Sequence, residues 1–486
     1  MSQNSSRYLA EIAKNVMLTR GFLPDFSPQI QKELTAIDQP AFNKNVIDLR
    51  DKLWVSIDND DSRDLDQITF AEPIDATTNR VYVAIADVAT TVAQQSAIDQ
   101  HAEHNTTSVY TPAQIFPMLP EKLSTNLTSL NPNEDRLAIV IIFVVDQTGM
   151  FSDYSISHAM VHNHAKLAYN ATGAWLETNT NPPAVFSSVA NLAEQIRLQD
   201  KIAQQLKSFR HQHGMLTFDK IETKPVIENG MIVAIKEVQK NHAYELIEYF
   251  MITANTVTTR FLKEQDIPIL RRIVQTPKRW DRIVEIAKEL GGHLPLQPDS
   301  KALDAFLSEQ RARNPETFSD LSLTIIKLIG KGEYVLQMPT EKPIPHFGLA
   351  LKDYSHTTAP NRRFPDLITQ RILLSRLQNT TLPYTAKELS HLALHCTQKE
   401  DDAEKVQRRL IKSAAAMLLS SHVNEFFNGI ITGASDKGTW VRLLKPPVEG
   451  KVVSGYLGLD VGDRVKVQLV GVDIPNGYID LKAISR

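Results

Sequence analysis

Apolar residues recur at helical spacing near the start of the chain, from Tyr8 to Met17. Gly21 and Pro24 interrupt the pattern soon afterwards, and both residue types commonly end helices. The pattern therefore predicts a short helical N-terminal extension over residues 1–45. We interpret it as a packing segment, with two alternatives left open: a cap on the next domain, or the remnant of a larger module.

Two continuous apolar runs follow, Val81 to Ala86 and Leu137 to Ile142, and runs of this length are typical of buried β-strands. The stretch between them that extends from Thr106 to Pro132 is polar and contains prolines. Long ordered loops of this kind often carry function. We therefore expect a strand-rich region that contains one long functional loop.

Helical patterns dominate the next part of the chain. Asn241 to Leu262 is amphipathic, and Thr385 to Glu388 has the pattern of a capping box that opens a long helix or a pair of helices. Strands followed by helices predict an α+β fold class. We place one large domain at residues 46–426.

The composition changes after residue 427, where Val, Gly and Asp become frequent and turn signals come at short intervals. Within this part, Val465 to Val470 alternates apolar and polar residues. Short alternating strands separated by turns predict a small all-β barrel, and an OB-fold is the obvious candidate. We place this barrel domain at residues 427–486.

The overall composition is that of an ordinary globular protein, with 42% hydrophobic and 22% charged residues among 486 and a net charge of −3. This length predicts two or three domains. No apolar run is long enough to cross a bilayer, and no secretory signal is apparent. With Cys396 as the one cysteine, a disulfide within the chain is excluded. We expect a cytoplasmic protein without membrane contact.

Five aspartates fall within nine residues, from Asp58 to Asp66, directly after a strand-like stretch. Like charges at this density are tolerated when water or a cation neutralises them, and carboxylate oxygens suit Mg²⁺. Metal-assisted phosphodiester cleavage needs this kind of ligand set. A solvated acidic turn or a calcium loop stays open as an alternative. The EF-hand pattern fails, because Arg63 and Thr69 stand where it requires glycine and glutamate.

Further motifs in consistent order give the chain its resemblance to the ribonuclease II, or RNB, family of exoribonucleases. The matching segments are Asp58–Gln67, Ile85–Val88, Ser108–Tyr110, Pro117–Ser124, Leu130–Leu137, Leu246–Asn255, His346–Tyr354 and Ala359–Phe364. The resemblance implies an RNB catalytic domain, in which a mixed sheet and a helical roof surround an RNA channel. It also implies a C-terminal RNA-binding OB-fold domain of ribosomal-protein type.

The resemblance further implies a Mg²⁺-dependent enzyme, with Mn²⁺ as a possible substitute, that degrades single-stranded RNA from its 3′ end to 5′-nucleoside monophosphates. Asp58, Asp64, Asp66 and Gln67 would line the metal site, with Asp66 as the most critical carboxylate. Arg362 would clamp the scissile phosphate and its developing charge. The three aspartates and Arg362 are therefore the expected catalytic residues.

Five residues are expected to contact RNA: Tyr110, Arg362, Arg363, His346 and Gln407. Tyr110 would stack on the 3′-terminal base, a contact worth about 1–3 kcal/mol. Gln407 stands where we expect a glutamate in the family, so base or sugar preference would differ there.

Each of these residues also has a structural interpretation. Tyr110 could be a core aromatic that anchors the long loop. Arg362 and Arg363 could pair with Asp366 on a surface helix, and His346 could cap a strand. Only the joint order of the motifs favours the functional interpretation.

Two departures from the family pattern concern the site. Gln67 replaces the last aspartate, and a neutral amide oxygen is a weaker ligand for Mg²⁺, which leaves Asp60 or Asp61 as compensating ligands. The second stacking aromatic that we expect near residues 270–276 is missing, and Trp280 is poorly placed to replace it.

The family typically carries two cold-shock-type barrels before the catalytic domain, whereas about 45 residues precede it here. The chain therefore resembles a short form of the family that lacks these barrels, which we expect to lower processivity and to favour short oligoribonucleotides.

Two functions compete at this stage. The first is an active exoribonuclease that acts as a monomer on single-stranded RNA. The second is a catalytically weak or inactive RNB-type regulator that binds RNA and has lost the metal site through Gln67. A DNA-directed nuclease is a weaker third possibility, since discrimination of the 2′-hydroxyl is not apparent from sequence.

Overall fold

The fold is taken from a computed structural model that describes residues 2–178, 181–219, 222–228, 231–238, 240–435 and 438–485. Met1 and Arg486, at the ends of the two predicted terminal segments, lie outside these residues. The α-helices are α1 (Ser2–Thr19), α2 (Pro28–Ala36), α3 (Ala97–Asn105), α4 (Tyr169–Thr178), α5 (Val185–Ser188), α6 (Leu192–Gln212), α7 (His242–Lys263), α8 (Trp280–Glu289), α9 (Ser300–Arg313), α10 (Pro315–Ile329), α11 (Phe364–Leu377) and α12 (Ala386–Leu419).

The β-strands lie mainly in the first third of the chain and at its C-terminal end. They are β1 (Ile47–Asp48), β2 (Trp54–Asp58), β3 (Gln67–Pro73), β4 (Thr78–Ala86), β5 (Val109–Tyr110), β6 (Ile115–Phe116), β7 (Asp135–Asp146), β8 (Phe151–Ala168), β9 (Glu222–Glu228), β10 (Met231–Val238), β11 (Ile269–Val274), β12 (Gly332–Gln337), β13 (Phe426–Ser435), β14 (Gly438–Leu443), β15 (Glu449–Ser454), β16 (Arg464–Asp473) and β17 (Tyr478–Ser485). The two predicted apolar strands correspond to β4 and β7.

The large sheet has the strand order β1-β8-β2-β3-β4-β7, and β7 also pairs with β8. This closure is possible because β8 is 18 residues long. Its first part pairs with β7 in antiparallel register, and residues 163–168 pair with β2 in parallel. The hydrogen-bonded strands therefore form a closed circuit, with β1 as an additional edge strand parallel to β8.

Helices cover this sheet. The large core cluster joins side chains of β4 and β7 to those of α6, α7 and α11. Helix α12 is 34 residues long and opens with the predicted capping box between Thr385 and Glu388. A separate apolar cluster holds α8, α9 and α10 together. The α+β prediction, with a helical layer over a mixed sheet, is confirmed.

The predicted N-terminal helix corresponds to α1. Its buried side chains Leu9, Ile12 and Met17 pack with Val109 and Phe116 and with residues of α12. The N-terminal segment therefore lies against the long loop that follows α3, although the proposed division into domains stays a prediction.

The C-terminal part is a closed five-stranded barrel with the strand order β13-β14-β15-β17-β16. Its interior consists of alternating apolar residues such as Val441, Leu443, Val467, Leu469 and Leu481, and it packs against the end of α12. The predicted barrel is therefore confirmed. None of the described helices has the length and hydrophobicity needed to span a membrane.

Candidate active site

The acidic segment predicted from sequence forms the loop between β2 and β3. These strands pair directly only at Val55 and Thr69, so the chain leaves the sheet after Asp58 and re-enters it at Gln67. The hydroxyl of Ser129 holds the loop, accepting a hydrogen bond from the Leu65 N–H at 2.9 Å and donating to the Arg63 carbonyl at 3.0 Å. The loop is therefore fixed by side chains of the neighbouring long loop.

Asp66 is the most buried carboxylate of the cluster, with 2% of its surface exposed. It accepts hydrogen bonds from the Asn361 N–H at 3.0 Å and from the Arg362 Nε at 3.3 Å. Burial raises the pKa of Asp66 to about 7; Asp64 acts in the same direction, and Arg362 opposes it. A cation beside this carboxyl would favour its ionised form.

Asp64 lies within electrostatic range of both Asp58 and Asp66. Asp58 accepts hydrogen bonds from the Asn59 N–H at 2.7 Å and the Ser62 hydroxyl at 2.8 Å. Burial raises the pKa of Asp58, and Asp64 contributes in the same direction. The three predicted aspartates are therefore brought into one cluster.

Gln67, the fourth predicted metal ligand, is buried at the start of β3 and pairs with Ile85 of β4. No hydrogen bond joins its side chain to the three aspartates within the described part of the chain. Nor do the described residues include a group of three or more His, Cys, Asp or Glu side chains arranged to hold a metal ion. The donor set nevertheless fits a hard divalent cation in its chemistry, because its carboxylates repel one another.

Arg362 extends from the loop before α11, and 44% of its side chain is exposed. Its Nε–H is held by Asp66, and its terminal N–H groups have no hydrogen-bond partner among the described residues. The interpretation in which Arg362 pairs with Asp366 is not what the structure has; Arg362 pairs with Asp66 instead. An arginine held in this way is suited to bind a phosphate.

Tyr110 lies on the hairpin formed by β5 and β6. Its hydroxyl donates to Asp64 at 3.0 Å, while 38% of the residue remains exposed. Burial of the hydroxyl raises the pKa of Tyr110. A core role for Tyr110 is therefore excluded, and its ring lies at the edge of the acidic cluster.

Arg363 makes the contact of its structural interpretation, whereas His346 caps a different element from the one expected. Arg363 donates to Asp366 at 2.8 Å, and the Asp366 carboxylate also accepts the Ala359 N–H at 2.9 Å. His346 accepts the Leu349 N–H at 3.1 Å and so caps a short 3₁₀ turn, not a strand. Burial lowers the pKa of His346 to about 3. Contact of Arg363 and His346 with RNA stays a prediction.

Gln407 lies half-buried on α12, and its contact with RNA also stays a prediction. An acidic residue of the same helix, Glu400, lies about two helical turns earlier, within electrostatic range of Arg363. Glu400 pairs with Arg272, whose guanidinium lies 4.8 Å from the centre of the Tyr334 ring. Sequence reasoning missed Glu400 and Arg272. The one available signal was that positions 400 and 407 lie about two turns apart on the same face of the predicted helix.

Asn361 and Thr128 were also missed. Asn361 is fully buried, and its side-chain oxygen accepts a hydrogen bond from the Thr128 hydroxyl at 2.5 Å. Because the backbone N–H of Asn361 binds Asp66, this one residue ties the arginine loop to both the long loop and the acidic loop. The only signal in the sequence was that Asn361 directly precedes two arginines.

A stacked tyrosine pair borders the other side of the acidic loop. The rings of Tyr169 and Tyr244 are 3.9 Å apart at an angle of 14°. The Tyr244 hydroxyl donates to the Asn59 side chain at 3.0 Å. The site therefore has aromatic groups on two sides, and sequence reasoning identified only Tyr110.

Comparison with known proteins bears on this arrangement. The RNB domain model matches residues 46–379, and the model of the RNase II-type exonuclease C-terminal S1 domain matches residues 425–484. Ribonuclease R of Aquifex aeolicus is 28% identical, with 98% of this chain and 70% of the relative covered. Ribonuclease R of Escherichia coli is 31% identical, with 90% of this chain and 57% of the relative covered. The chain thus spans between about half and 70% of such relatives.

Solved structures share the fold. Mycoplasma genitalium RNase R in complex with ribose methylated single-stranded RNA has a TM-score of 0.88 and 22% identity, over 97% of this chain and 77% of that one. Yeast Ssd1, described as a pseudonuclease, has a TM-score of 0.73 and 14% identity, over 98% of this chain and 58% of that one. At these identities the likeness concerns the fold alone. The RNB domain model matches most of the chain, including the acidic loop, and the chain therefore belongs to the RNB family.

Proposed function

We propose that the chain is a cytoplasmic exoribonuclease that hydrolyses single-stranded RNA from the 3′ end, with Mg²⁺ or Mn²⁺, to 5′-nucleoside monophosphates. The observation that carries the proposal is the contact between Asp66 and Arg362, within one cluster with Asp58 and Asp64. Phosphodiester cleavage needs an arginine that binds the phosphate next to carboxylates that bind a metal ion. Family membership supports the same activity.

Asp58, Asp64 and Asp66 would hold the divalent cation, with the Gln67 side-chain oxygen as an additional neutral ligand. When bound, the cation supplies Lewis-acid stabilisation of the negative charge that develops on the phosphate. The raised pKa values of Asp58 and Asp66 support this assignment, because carboxyls that are costly to ionise alone are ionised readily beside a cation.

The remaining steps are assigned to side chains. Arg362 binds the scissile phosphate through the N–H groups that face the cleft, and Asp66 fixes the orientation of its guanidinium. Tyr110 stacks on the terminal base while its hydroxyl remains on Asp64. These contacts hold the last phosphodiester beside the acidic cluster.

The test uses RNA that carries a label on its 3′-terminal nucleotide. The proposal expects the label to appear first as a 5′-mononucleotide, before any shortening from the other end. Release of labelled oligonucleotides would contradict an exonuclease that works from the 3′ end. Size-exclusion chromatography of the same preparation tests the proposed monomer.

A second candidate function is a regulator that binds RNA without cleaving it. The neutral Gln67 favours it, because one carboxylate fewer weakens cation binding. In that case the purified protein binds the labelled RNA, and the RNA remains intact at every Mg²⁺ and Mn²⁺ concentration.

A further inference from the structure

The hairpin that carries Tyr110 has two chemically different faces. Val109 pairs with Phe116, and Tyr110 pairs with Ile115. Val109 is fully buried and Phe116 is 4% exposed, and both pack into the cluster formed with α1 and α12. Since neighbouring residues of a strand point to opposite faces, Tyr110 and Ile115 share the other face.

That second face lies beside the acidic loop. The Tyr110 hydroxyl is held by Asp64, and the residue is 38% exposed. Ile115 is 56% exposed, although its neighbour in sequence is buried. Side chains directly opposite each other in an antiparallel pair have Cβ atoms roughly 5 Å apart. The tyrosine ring and the isoleucine side chain therefore form one continuous apolar surface beside the carboxylates.

The hairpin also holds this surface in place. The Thr111 hydroxyl donates to the Gln114 carbonyl at 2.6 Å and accepts the Gln114 N–H at 3.1 Å, which closes the turn. The Met118 N–H donates to the Ser108 hydroxyl at 2.9 Å and fixes the base of the hairpin. An exposed apolar surface on a fixed support is suited to bind a flat ligand without loss of further conformational freedom.

We propose that Ile115 is a substrate-contact residue that extends the Tyr110 ring into a platform for the 3′-terminal base of RNA. The inference rests on the proposed function, since it assumes that the RNA end lies at the acidic cluster. Every base presents a π-face that can stack on such a surface. Because the Tyr110 hydroxyl is bound to Asp64, the base on this platform belongs to the nucleotide next to the carboxylates.

The test compares the dissociation constants of a short RNA and of the same RNA with an abasic 3′-terminal nucleotide, measured by fluorescence anisotropy in EDTA. The variant is Ile115→Ser. Its matched control is Ile47→Ser, which changes an isoleucine on β1 that is 52% exposed. Loss of apolar contact with the base should weaken binding of intact RNA by roughly threefold to tenfold. Ile115→Ser should leave binding of the abasic RNA unchanged, and Ile47→Ser should alter neither.

A second variant, Ile115→Phe, enlarges the platform and should tighten binding of the intact RNA alone. The proposal is overturned if Ile115→Ser and Ile47→Ser bind intact RNA equally well, or if the loss persists on abasic RNA. Cleavage in Mg²⁺ by the unchanged protein is scored separately. An inactive protein with a base-dependent Ile115 effect contradicts the proposed hydrolysis, whereas an active protein without that effect contradicts only the platform.

Discussion

At the scale of single residues, the site depends on carboxylates that are buried together. Asp66 has almost no contact with water. It accepts one hydrogen bond from the Asn361 N–H and one from the Arg362 Nε, which keep it beside Arg362. Gln67, the next residue, is also buried and is neutral. The number of charged ligands decides how tightly such a site holds Mg²⁺. Cation affinity is therefore the property in which this chain should differ most from a four-aspartate site.

The variant Gln67→Asp adds the fourth carboxylate. We expect its dissociation constant for Mg²⁺ to fall by roughly tenfold, because ligand charge raises the affinity of oxygen sites. Isothermal titration with MgCl₂ measures this directly, and the Mg²⁺ concentration for half-maximal cleavage should fall in parallel. The control Gln67→Asn keeps the site neutral. An unchanged dissociation constant in Gln67→Asp would exclude this residue from the metal site.

The spacing of the aspartates was enough to predict the acidic cluster, because all of its members lie in one short loop. The partners of that loop were not predictable in the same way. Ser129 and Asn361 reach it from about 65 and 295 positions along the chain, through buried hydrogen bonds. Local pattern carries no information on such contacts. The pair between Glu400 and Arg272 was not predictable either, since the two residues lie 128 positions apart.

At the scale of elements, three loops are tied together around the site: the acidic loop, the long loop after α3 and the loop before α11. Ser129 is fully buried and joins Leu65, Arg63 and Asn131 through its hydroxyl. Asn361 joins Thr128 to Asp66. The relative positions of the three loops therefore depend on neutral residues to which we assign no part in the chemistry.

Replacement of Ser129 by alanine tests this dependence. The variant leaves the buried Leu65 N–H without its partner, which should lower the free energy of unfolding by about 1–3 kcal/mol. It should also lower kcat, because the acidic loop loses its support. Urea unfolding and single-turnover cleavage are the measurements. The control Ser124→Ala removes a buried hydroxyl whose contacts, to the Leu119 and Pro120 carbonyls at 3.4 and 3.5 Å, are long. Equal effects of the two variants on kcat would contradict the role of Ser129.

The contact between the N-terminal segment and α3 should depend on pH. His101 is 5% exposed, and its ring centre lies 4.5 Å from that of Phe26. It also contacts Asn105, whose side chain binds the backbone of Leu23. Burial lowers the pKa of His101 to about 4 from its ordinary value of 6.5. The folded protein therefore keeps His101 neutral while the unfolded chain takes up a proton. The contribution of neutral His101 to the free energy of unfolding is fully present above pH 6.5 and is lost as the pH falls towards about 4.

The variant His101→Gln removes this titration. In thermal melts between pH 7 and pH 4, the Tm of the variant should decline less than that of the unchanged protein. The corresponding difference in the free energy of unfolding is up to about 3 kcal/mol at pH 4. The exposed His293→Gln serves as control and should follow the unchanged protein. Parallel curves for all three proteins would show that His101 is not buried in its neutral form.

At the scale of the whole molecule, α12 runs from the part that contains the large sheet to the barrel and connects the two. The barrel is also joined to α10 by Arg442, which donates to both carboxylate oxygens of Asp320 at 3.0 and 3.3 Å. Burial raises the pKa of Asp320, and Arg442 opposes this shift. Without the arginine, Asp320 would be a buried charge lacking its partner.

The variant Arg442→Ala should therefore lower Tm, at a cost of about 3 kcal/mol for an unpaired buried charge. It should also speed proteolysis near the start of β13, where the barrel begins. Lys412→Ala breaks a more exposed pair with Glu449, at 3.6 Å, and should cost less than about 1 kcal/mol. Equal Tm values for the two variants would contradict a structural role of the Arg442 pair.

Sequence periodicity was sufficient to predict the α+β class, the long helix and the terminal barrel, because each leaves a local pattern. Closure of the large sheet was not predicted. It depends on β8, whose 18 residues alternate irregularly and pair with β7 and β2 in turn. Only the three-dimensional pairing shows that a single strand serves two neighbours.

Hydrolysis at the Asp66 site can be followed with a 5′-labelled single-stranded RNA on a denaturing gel. The unchanged protein in Mg²⁺, the same protein in EDTA and the Asp66→Asn variant are compared. We expect a descending ladder that disappears in EDTA and forms roughly a hundredfold or more slowly in Asp66→Asn. An intact band in all lanes, with RNA still bound, would contradict this expectation and favour a regulator that does not cleave RNA.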